Sequence, residues 1–232
     1  MDHNKQIDVD LSYLNESGYS KKDCDNLIFK FSDSDLIENN YSQSMQDIFV
    51  LSMLNGKKNG FYIEIGANNP VWINNTYLLE SKFGWSGISF DINSDEVSNF
   101  NSFRNNKCIC ADASKFDYKF LFDYTNSPKQ IDYLQVDCHP PDTTLECLLK
   151  LPLDSYRFSV ITFETDLYMG GDNAQIKQEE ALFSHGYKRV VKNIMNGGNI
   201  YEDWWVDPLV VPENIWGKFV NENVDFKKAV LK

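Results

Sequence analysis

No stretch of the chain is apolar for long enough to cross a bilayer, which takes about 20 residues as a helix. Excess positive charge is also missing: 22 Lys and Arg stand against 34 Asp and Glu, a formal net charge of -12. That balance argues against non-specific binding to nucleic acid, whose phosphates demand a basic surface. It argues equally against adhesion to anionic lipid at a membrane. Cysteines are odd in number (Cys24, Cys108, Cys110, Cys138 and Cys147), and no pair has zinc-ribbon spacing. Cys108 and Cys110 would share one face of a strand, but two thiols alone do not make a metal site. A reducing compartment is the simplest reading. The opening residues MDHNKQIDVD are polar and lack the apolar core of a secretory signal, so the expected location is cytoplasmic. The dinucleotide pattern G-x-G-x-x-G is absent: Gly66 is followed by Ala67, Asn68, Asn69, Pro70 and Val71. This disfavours a nicotinamide-dependent oxidoreductase.

What is present is the material of one α/β domain. Hydrophobic residues make up 42% of the chain and aromatics 14%, enough for a sizeable core, and 232 residues fit one large domain better than two small ones. The stretch FYIEIGANNP, residues 61–70, is the centre of the pattern. An apolar run reaches Glu64, turns at Gly66 and gives way to helical spacing near Asn74. That is the strand, glycine turn and helix that open a nucleotide-binding sheet. Gly66 has no Cβ, so backbone and ligand can approach closely. The helix N-terminus beyond it offers unpaired N–H groups. Glu64 would face the crevice where such sheets hold ligands. A carboxylate there suits a cationic amino group better than a pyrophosphate, which favours S-adenosylmethionine over a dinucleotide.

Residues 1–40 are polar apart from the patch 27–31, and read as an arm or cap whose patch docks on the core. Residues 41–232 read as the main domain. Met45, Ile48, Phe49 and Met53 recur at helical spacing, with Ser44 as N-cap and Asn55-Gly56 as the stop. Further strands are expected at 87–91, 108–111, 133–136 and 158–163. Helices are expected at 74–83 and 94–104, with a helix or lid at 116–124. A Leu-lined helix should start from a Thr143/Glu146 capping box, and Asp172 can cap a helix that Gly186 stops. Residues 187–193 and 204–211 look like a closing pair of strands. The expected fold is a Rossmann-like sheet, mostly parallel with a C-terminal antiparallel strand pair and helices on both faces.

Five of these strands end in acids: Glu64, Asp91, Asp112, Asp137 and Glu164. A carboxylate is costly inside a sheet, and five at one end would line the rim where ligands bind. Against this, acids punctuate strand ends in any acidic protein. Asp91 is placed to accept both ribose hydroxyls, or to cap the next helix. Asp112, beside Ala113, sits where an adenine would lie, or serves as an N-cap. Gln43, Gln46 and Asn75 could touch the cofactor or form ordinary helix surface. In DCHP, residues 137–140, His139 can take a proton near neutral pH. Asp137, His139, Glu164 and Asp166 together could bind a divalent metal through oxygen and imidazole. A lone loop histidine is more often structural. YEDWWVDP, residues 201–208, sets aromatics beside acids as a sugar-binding surface would, or buries its tryptophans in the core. Residues 168–171 offer a flexible loop over the site.

In order and spacing, YSQSMQD at Tyr41, GFYIEIGANNP at Gly60, NNTYLLE at Asn74, GWSGISFDIN at Gly84, IDYLQVDC at Ile131 and VITFETD at Val160 form a recognisable series. The chain resembles the FkbM-type methyltransferases, a class I family that uses S-adenosylmethionine. The resemblance runs from residue 41 to about 212. It implies an O-methyltransferase acting on a sugar hydroxyl of a glycan or other small-molecule substrate. It implies that Glu64 and Gly66 hold the methionine end, that Asp91 holds the ribose, and that Asp112 falls near the adenine and Asp137 near the methyl group. The neighbours Ala67, Asn68, Ile92 and Ala113 complete the expected cofactor contacts. One departure stands out: Asp137-Cys138-His139-Pro140 replaces a family form closer to D-x-E-G, which leaves the base and any metal dependence open. For methylation of an alcohol, His139 is the expected base, with Asp137 and Glu164 orienting it or the sugar. The competing reading is a catalytically silent, methyltransferase-like module that binds a glycan or a partner.

Overall fold

The computed structural model describes residues 19–232; residues 1–18, the first part of the expected arm, lie outside the described residues. Two 3-10 turns, Lys21–Asn26 and Ser34–Leu36, come first. The elements then run α1 (Gln46–Met53), β1 (Phe61–Ile65), α2 (Tyr77–Phe83), β2 (Ser86–Asp91), α3 (Ser94–Phe103) and β3 (Lys107–Cys110). Next come α4 (Tyr118–Tyr124), β4 (Gln130–Val136), α5 (Pro141–Lys150), β5 (Arg157–Glu164) and α6 (Asp172–Ser184). The chain closes with β6 (Lys188–Asn196), β7 (Asn199–Val206), α7 (Glu213–Trp216), β8 (Asn221–Asp225) and α8 (Phe226–Val230).

The strands form one sheet in the order β3-β2-β1-β4-β5-β7-β6-β8. β1 to β5 pair in parallel, and so do β6 and β8. β7 runs against both of its neighbours, β5 and β6. The expected closing pair is therefore present but shifted. Its second strand spans Asn199–Val206 rather than 204–211, because Gly197 and Gly198, both at positive φ, turn the chain early. β8 was not anticipated: its NENVD sequence has one apolar residue and no alternation to read.

Side chains alternate across the central strands. Tyr62, Tyr133, Val160 and Trp204 pack on one face with Ile48 and Phe49 of α1 and Leu78 and Leu79 of α2. Ile63, Leu134, Ile161 and Trp205 pack on the other with Phe122 of α4, Leu148 of α5 and Leu182 of α6. Covered on both faces, these strands read as apolar runs, and each fully buried side chain contributes about 1.5–3 kcal/mol. Trp204 and Trp205 are both fully buried, so 201–208 is core and not a sugar-stacking surface. Leu27 and Phe31 join the first of these clusters, and Leu27 bridges to Leu231 beside α8.

Some expected helix starts are replaced. α1 begins after Met45 at φ 62, without a side-chain cap from Ser44, whose N–H instead donates to Gln46 Oε1 at 2.7 Å. α5 begins at Pro141, whose fixed φ suits the first helical position, so Thr143 and Glu146 lie inside the helix rather than forming its capping box. Among the described residues, no helix is long and apolar enough to cross a membrane.

Candidate active site

The strand order reverses between β1 and β4, so their connections leave in opposite directions and a crevice opens at their C-terminal ends. A cleft of about 560 Å³ lies there. Glu64, Asp91, Asp112, Asp137 and Glu164 all line it, one acid from the end of each of β1 to β5. Gly66, Ala67, Asn68, Ile92 and Ala113 line it too, as do Gln43, Asn75 and His139.

Glu64 is buried on β1, opposite Ser89 of β2 and Gln135 of β4. The Ser89 hydroxyl donates to Glu64 Oε2 at 2.7 Å. Burial pushes the Glu64 carboxyl up to about 7, against the opposing pull of Arg104, Ser89 and Thr76. Gly66 has φ 86, and a Cβ there would overlap the carbonyl oxygen of Asp137. Its bare backbone lets the ends of β1 and β4 meet, rather than making room for a ligand directly.

Asn74 takes up the first donors at the α2 N-terminus. Asn74 Oδ1 accepts from the Thr76 N–H at 3.1 Å and the Tyr77 N–H at 2.8 Å. Asp91 is not the cap of α3; Asn93 is, accepting from the Asp95 N–H at 3.0 Å. Asp91 instead accepts the Asn68 and Asn93 N–H groups, each at 2.8 Å, which fixes its carboxylate on the cleft wall. Asp112 combines both of its readings: it lines the cleft and caps the 3-10 turn Ala113–Lys115. Lys115 Nζ at 2.6 Å and the Ser114 hydroxyl hold its carboxyl below the usual range.

Gln46 is the cofactor candidate that falls outside the cleft. It opens α1 facing β7, where its Nε2 donates to Glu202 Oε2 at 3.0 Å and Tyr201 Oη at 3.4 Å. Gln43 precedes the helix, so helical spacing does not carry it to the same side. Gln135 was missed. It is buried, lines the cleft and accepts the Ile65 N–H at 3.1 Å, and its signal is a lone amide in the apolar run of β4. Ile73, on the cleft at φ 51, has no sequence signal at all.

At the far end of the cleft, His139 Nδ1 lies 3.2 Å from Asp166 Oδ2. The contact expected from Asp137 or Glu164 thus belongs to Asp166, a buried residue at φ 47 whose N–H donates to the Tyr201 carbonyl. Burial and the neighbouring Asp137 carboxylate push the Glu164 carboxyl well up. His139, Glu164 and Asp166 each offer a ligand atom within 4.8 Å of the others, and Asp137 is not part of that triplet. The expected lid, residues 168–171, begins within the short 3-10 turn Leu167–Met169, with Tyr168 and Met169 exposed.

No family model matches the chain, and no curated protein matches it. Among solved structures it is similar to an rRNA methylase from Streptococcus thermophilus, at 15% identity over 70% of this chain and 94% of that one, with a TM-score of 0.47. It is also similar to a TehB-like SAM-dependent methyltransferase from Corynebacterium glutamicum, at 12% identity over 70% and 87%, with a TM-score of 0.45. The sheet itself, mostly parallel with β7 reversed and helices on both faces, is a Rossmann-like α/β fold. These likenesses concern the fold alone.

A cationic, donor-rich ligand such as S-adenosylmethionine fits this wall. Asn75 Oδ1 and Glu164 Oε2, on two residues of the cleft, are buried acceptors without a hydrogen-bond partner. Burial favours the protonated form of Glu64, and an ammonium beside it would favour the ionised one.

Proposed function

We propose that the chain is an S-adenosylmethionine-dependent O-methyltransferase of the FkbM type, acting on a hydroxyl of a sugar or glycan. The observation that carries this reading is the convergence of five strand-end carboxyls on one cleft at the switch point of the sheet. Bound S-adenosylmethionine supplies an electrophilic methyl group on a sulfonium. Glu64 and Asn75 hold the amino end, Asp91 accepts the ribose hydroxyls, and Asp112 with Ala113 and Ile92 flanks the adenine. Gly66 lets the walls close, with Ala67 and Asn68 along the turn. Asp137, His139 and Glu164 form the acceptor end, where they align a hydroxyl and receive its proton.

A neutral polyhydroxyl acceptor suits this rim, because carboxylates accept from hydroxyls and repel phosphates. The net charge of -12 favours the same choice over nucleic acid. Five free cysteines agree with a cytoplasmic setting. Residues 41–232 are taken as the methyltransferase domain and residues 1–40 as its arm.

The test is a thermal-shift series with S-adenosylmethionine, S-adenosylhomocysteine and NAD. At about 100 times the dissociation constant, a bound ligand stabilises by about 2.7 kcal/mol, roughly 5–10 °C for a chain of this length. S-adenosylmethionine and its demethylated product should raise the melting temperature, and NAD should not. A chain indifferent to both sulfur compounds would end this reading. Cofactor binding with no methyl transfer to any sugar in a mass-spectrometric screen would favour the silent binding module.

A further inference from the structure

The acceptor end gathers more buried carboxyl groups than it has basic partners. Glu164 is 7% exposed and Asp166 1%; Glu164 Oε2 has no hydrogen-bond partner among the described residues, and Asp166 is met by the exposed His139 ring and the Tyr168 hydroxyl. Asp137 adds repulsion to both. Among the described residues, the one basic side chain paired with either acid is His139, 61% exposed on the cleft wall. The buried Arg104 is committed to Glu80, and the partly buried Arg189 to Glu179 and Asp203. A buried carboxylate left unpaired is strongly unfavourable unless a proton or a cation joins it.

We propose that His139, Glu164 and Asp166 bind one divalent first-row transition-metal cation. Their ligand atoms lie within 4.8 Å of one another, and His139 Nδ1 and Asp166 Oδ2 are 3.2 Å apart. Around an ion with bonds near 2.1 Å, adjacent ligands sit roughly 3 Å apart and opposite ones roughly 4.2 Å. The His139–Asp166 pair already has the adjacent spacing, and the Glu164 carboxylate, within 4.8 Å of both, would swing in by up to about 1.8 Å to complete the set. An imidazole with two carboxylates suits Mn²⁺ or Zn²⁺ better than Mg²⁺, which prefers oxygen and water, while Ca²⁺ takes six to eight oxygens. Because His139 and Glu164 line the cleft, the open positions of the ion face the acceptor. There the ion would hold the acceptor oxygen and lower its pKa; the O–H bond breaks, the oxygen stays on the metal and the proton passes to Asp137. This use of the site, though not the site itself, rests on the methyl-transfer reading.

The experiment is calorimetric titration of the chelator-treated full chain with Mn²⁺, and separately with Mg²⁺, without cofactor. One Mn²⁺ per chain is expected, bound at least tenfold more tightly than Mg²⁺. His139→Ala removes an exposed side chain, and Asp166→Asn keeps a residue type that tolerates positive φ, so both should fold, with circular dichroism as the check. Each should weaken Mn²⁺ at least tenfold. Absent Mn²⁺ binding, or wild-type affinity in both variants, would overturn the site and leave a His139–Asp166 hydrogen bond with protonated neighbours. Mn²⁺ binding in a chain that S-adenosylmethionine does not stabilise would keep the site and discard the methyl-transfer reading.

Discussion

Arg104 Nε donates to Glu80 Oε2 at 2.7 Å, with both side chains more than nine-tenths buried. The same guanidinium reaches the Pro70 carbonyl at 2.9 Å, Asn74 Oδ1 at 3.0 Å, Thr76 Oγ1 at 3.0 Å and the Tyr62 hydroxyl at 3.2 Å. One cation at the end of α3 thus ties down the segment between β1 and α2, which carries Asn75 on the cleft. Arg104→Met keeps the apolar stem and leaves Glu80 buried without its partner. The expected loss is about 3–5 kcal/mol, because breaking a buried pair strands a charge. Arg104→Lys should recover little of it, since a single ammonium cannot replace a planar fork with five donors. Urea unfolding of the three proteins checks this; a loss under about 1 kcal/mol would mean the pair is dispensable.

Gly66 and Gly186 separate two effects that usually come together. Their φ values are 86 and 80, so alanine at either is strained by roughly 1–2 kcal/mol. Around Gly186 nothing lies within 4 Å of the added Cβ, whereas at Gly66 it overlaps the Asp137 carbonyl. Gly186→Ala should therefore cost only the strain. Gly66→Ala should lose stability beyond it and also lose the thermal shift with S-adenosylmethionine, because β1 and β4 must part at the cleft. Equal melting temperatures for the two variants would show that the meeting of these strand ends carries no weight.

The sequence made the inner strands legible because burial on both faces forces long apolar runs, and a rim acid ends each one. Glu64, Asp91, Asp112, Asp137 and Glu164 could be read as a set for that reason. Features set by tertiary contact were hidden. Gln43 and Gln46 look equivalent in sequence, but only Gln46 is inside α1, and its rotation toward Glu202 depends on where the helix begins. Asp166 could be grouped with His139 and Glu164 from residue types alone, but that it, and not Asp137, stands against His139 depends on the backbone turning at φ 47 after β5. β8 is held by pairing with β6 rather than by any alternation of its own.

Asp91 spends two acceptor positions on the Asn68 and Asn93 N–H groups and keeps others for a ligand. Asp91→Ala removes the carboxylate and loosens the turn that carries Asn68. If the ribose hydroxyls donate to it, S-adenosylmethionine affinity should fall roughly 10- to 100-fold, the equivalent of a lost charged hydrogen bond. Asp91→Asn retains one acceptor and should fall between. Calorimetry on the folded variants measures this, and unchanged affinity in Asp91→Ala would remove the ribose role.

Glu64 makes both stability and affinity depend on pH, in opposite directions. Burial raises its folded pKa to about 7, above its ordinary value of 4.5, so the folded chain holds a proton that the unfolded chain has released. This contribution is intact below pH 4.5 and is lost as pH rises through 7, an effect of about 3 kcal/mol. Glu64→Gln, which never ionises, should gain stability relative to the wild type between pH 5 and 8. An ammonium on the ligand reverses the preference, because it pairs with the ionised carboxylate. At pH 6 binding must expel a proton, whereas near pH 8 the charge is already present. S-adenosylmethionine should therefore bind up to about tenfold more tightly across that window in the wild type, and Glu64→Gln should bind weakly with a flat profile. A wild-type profile as flat as the variant's would place the amino end of the cofactor elsewhere in the cleft.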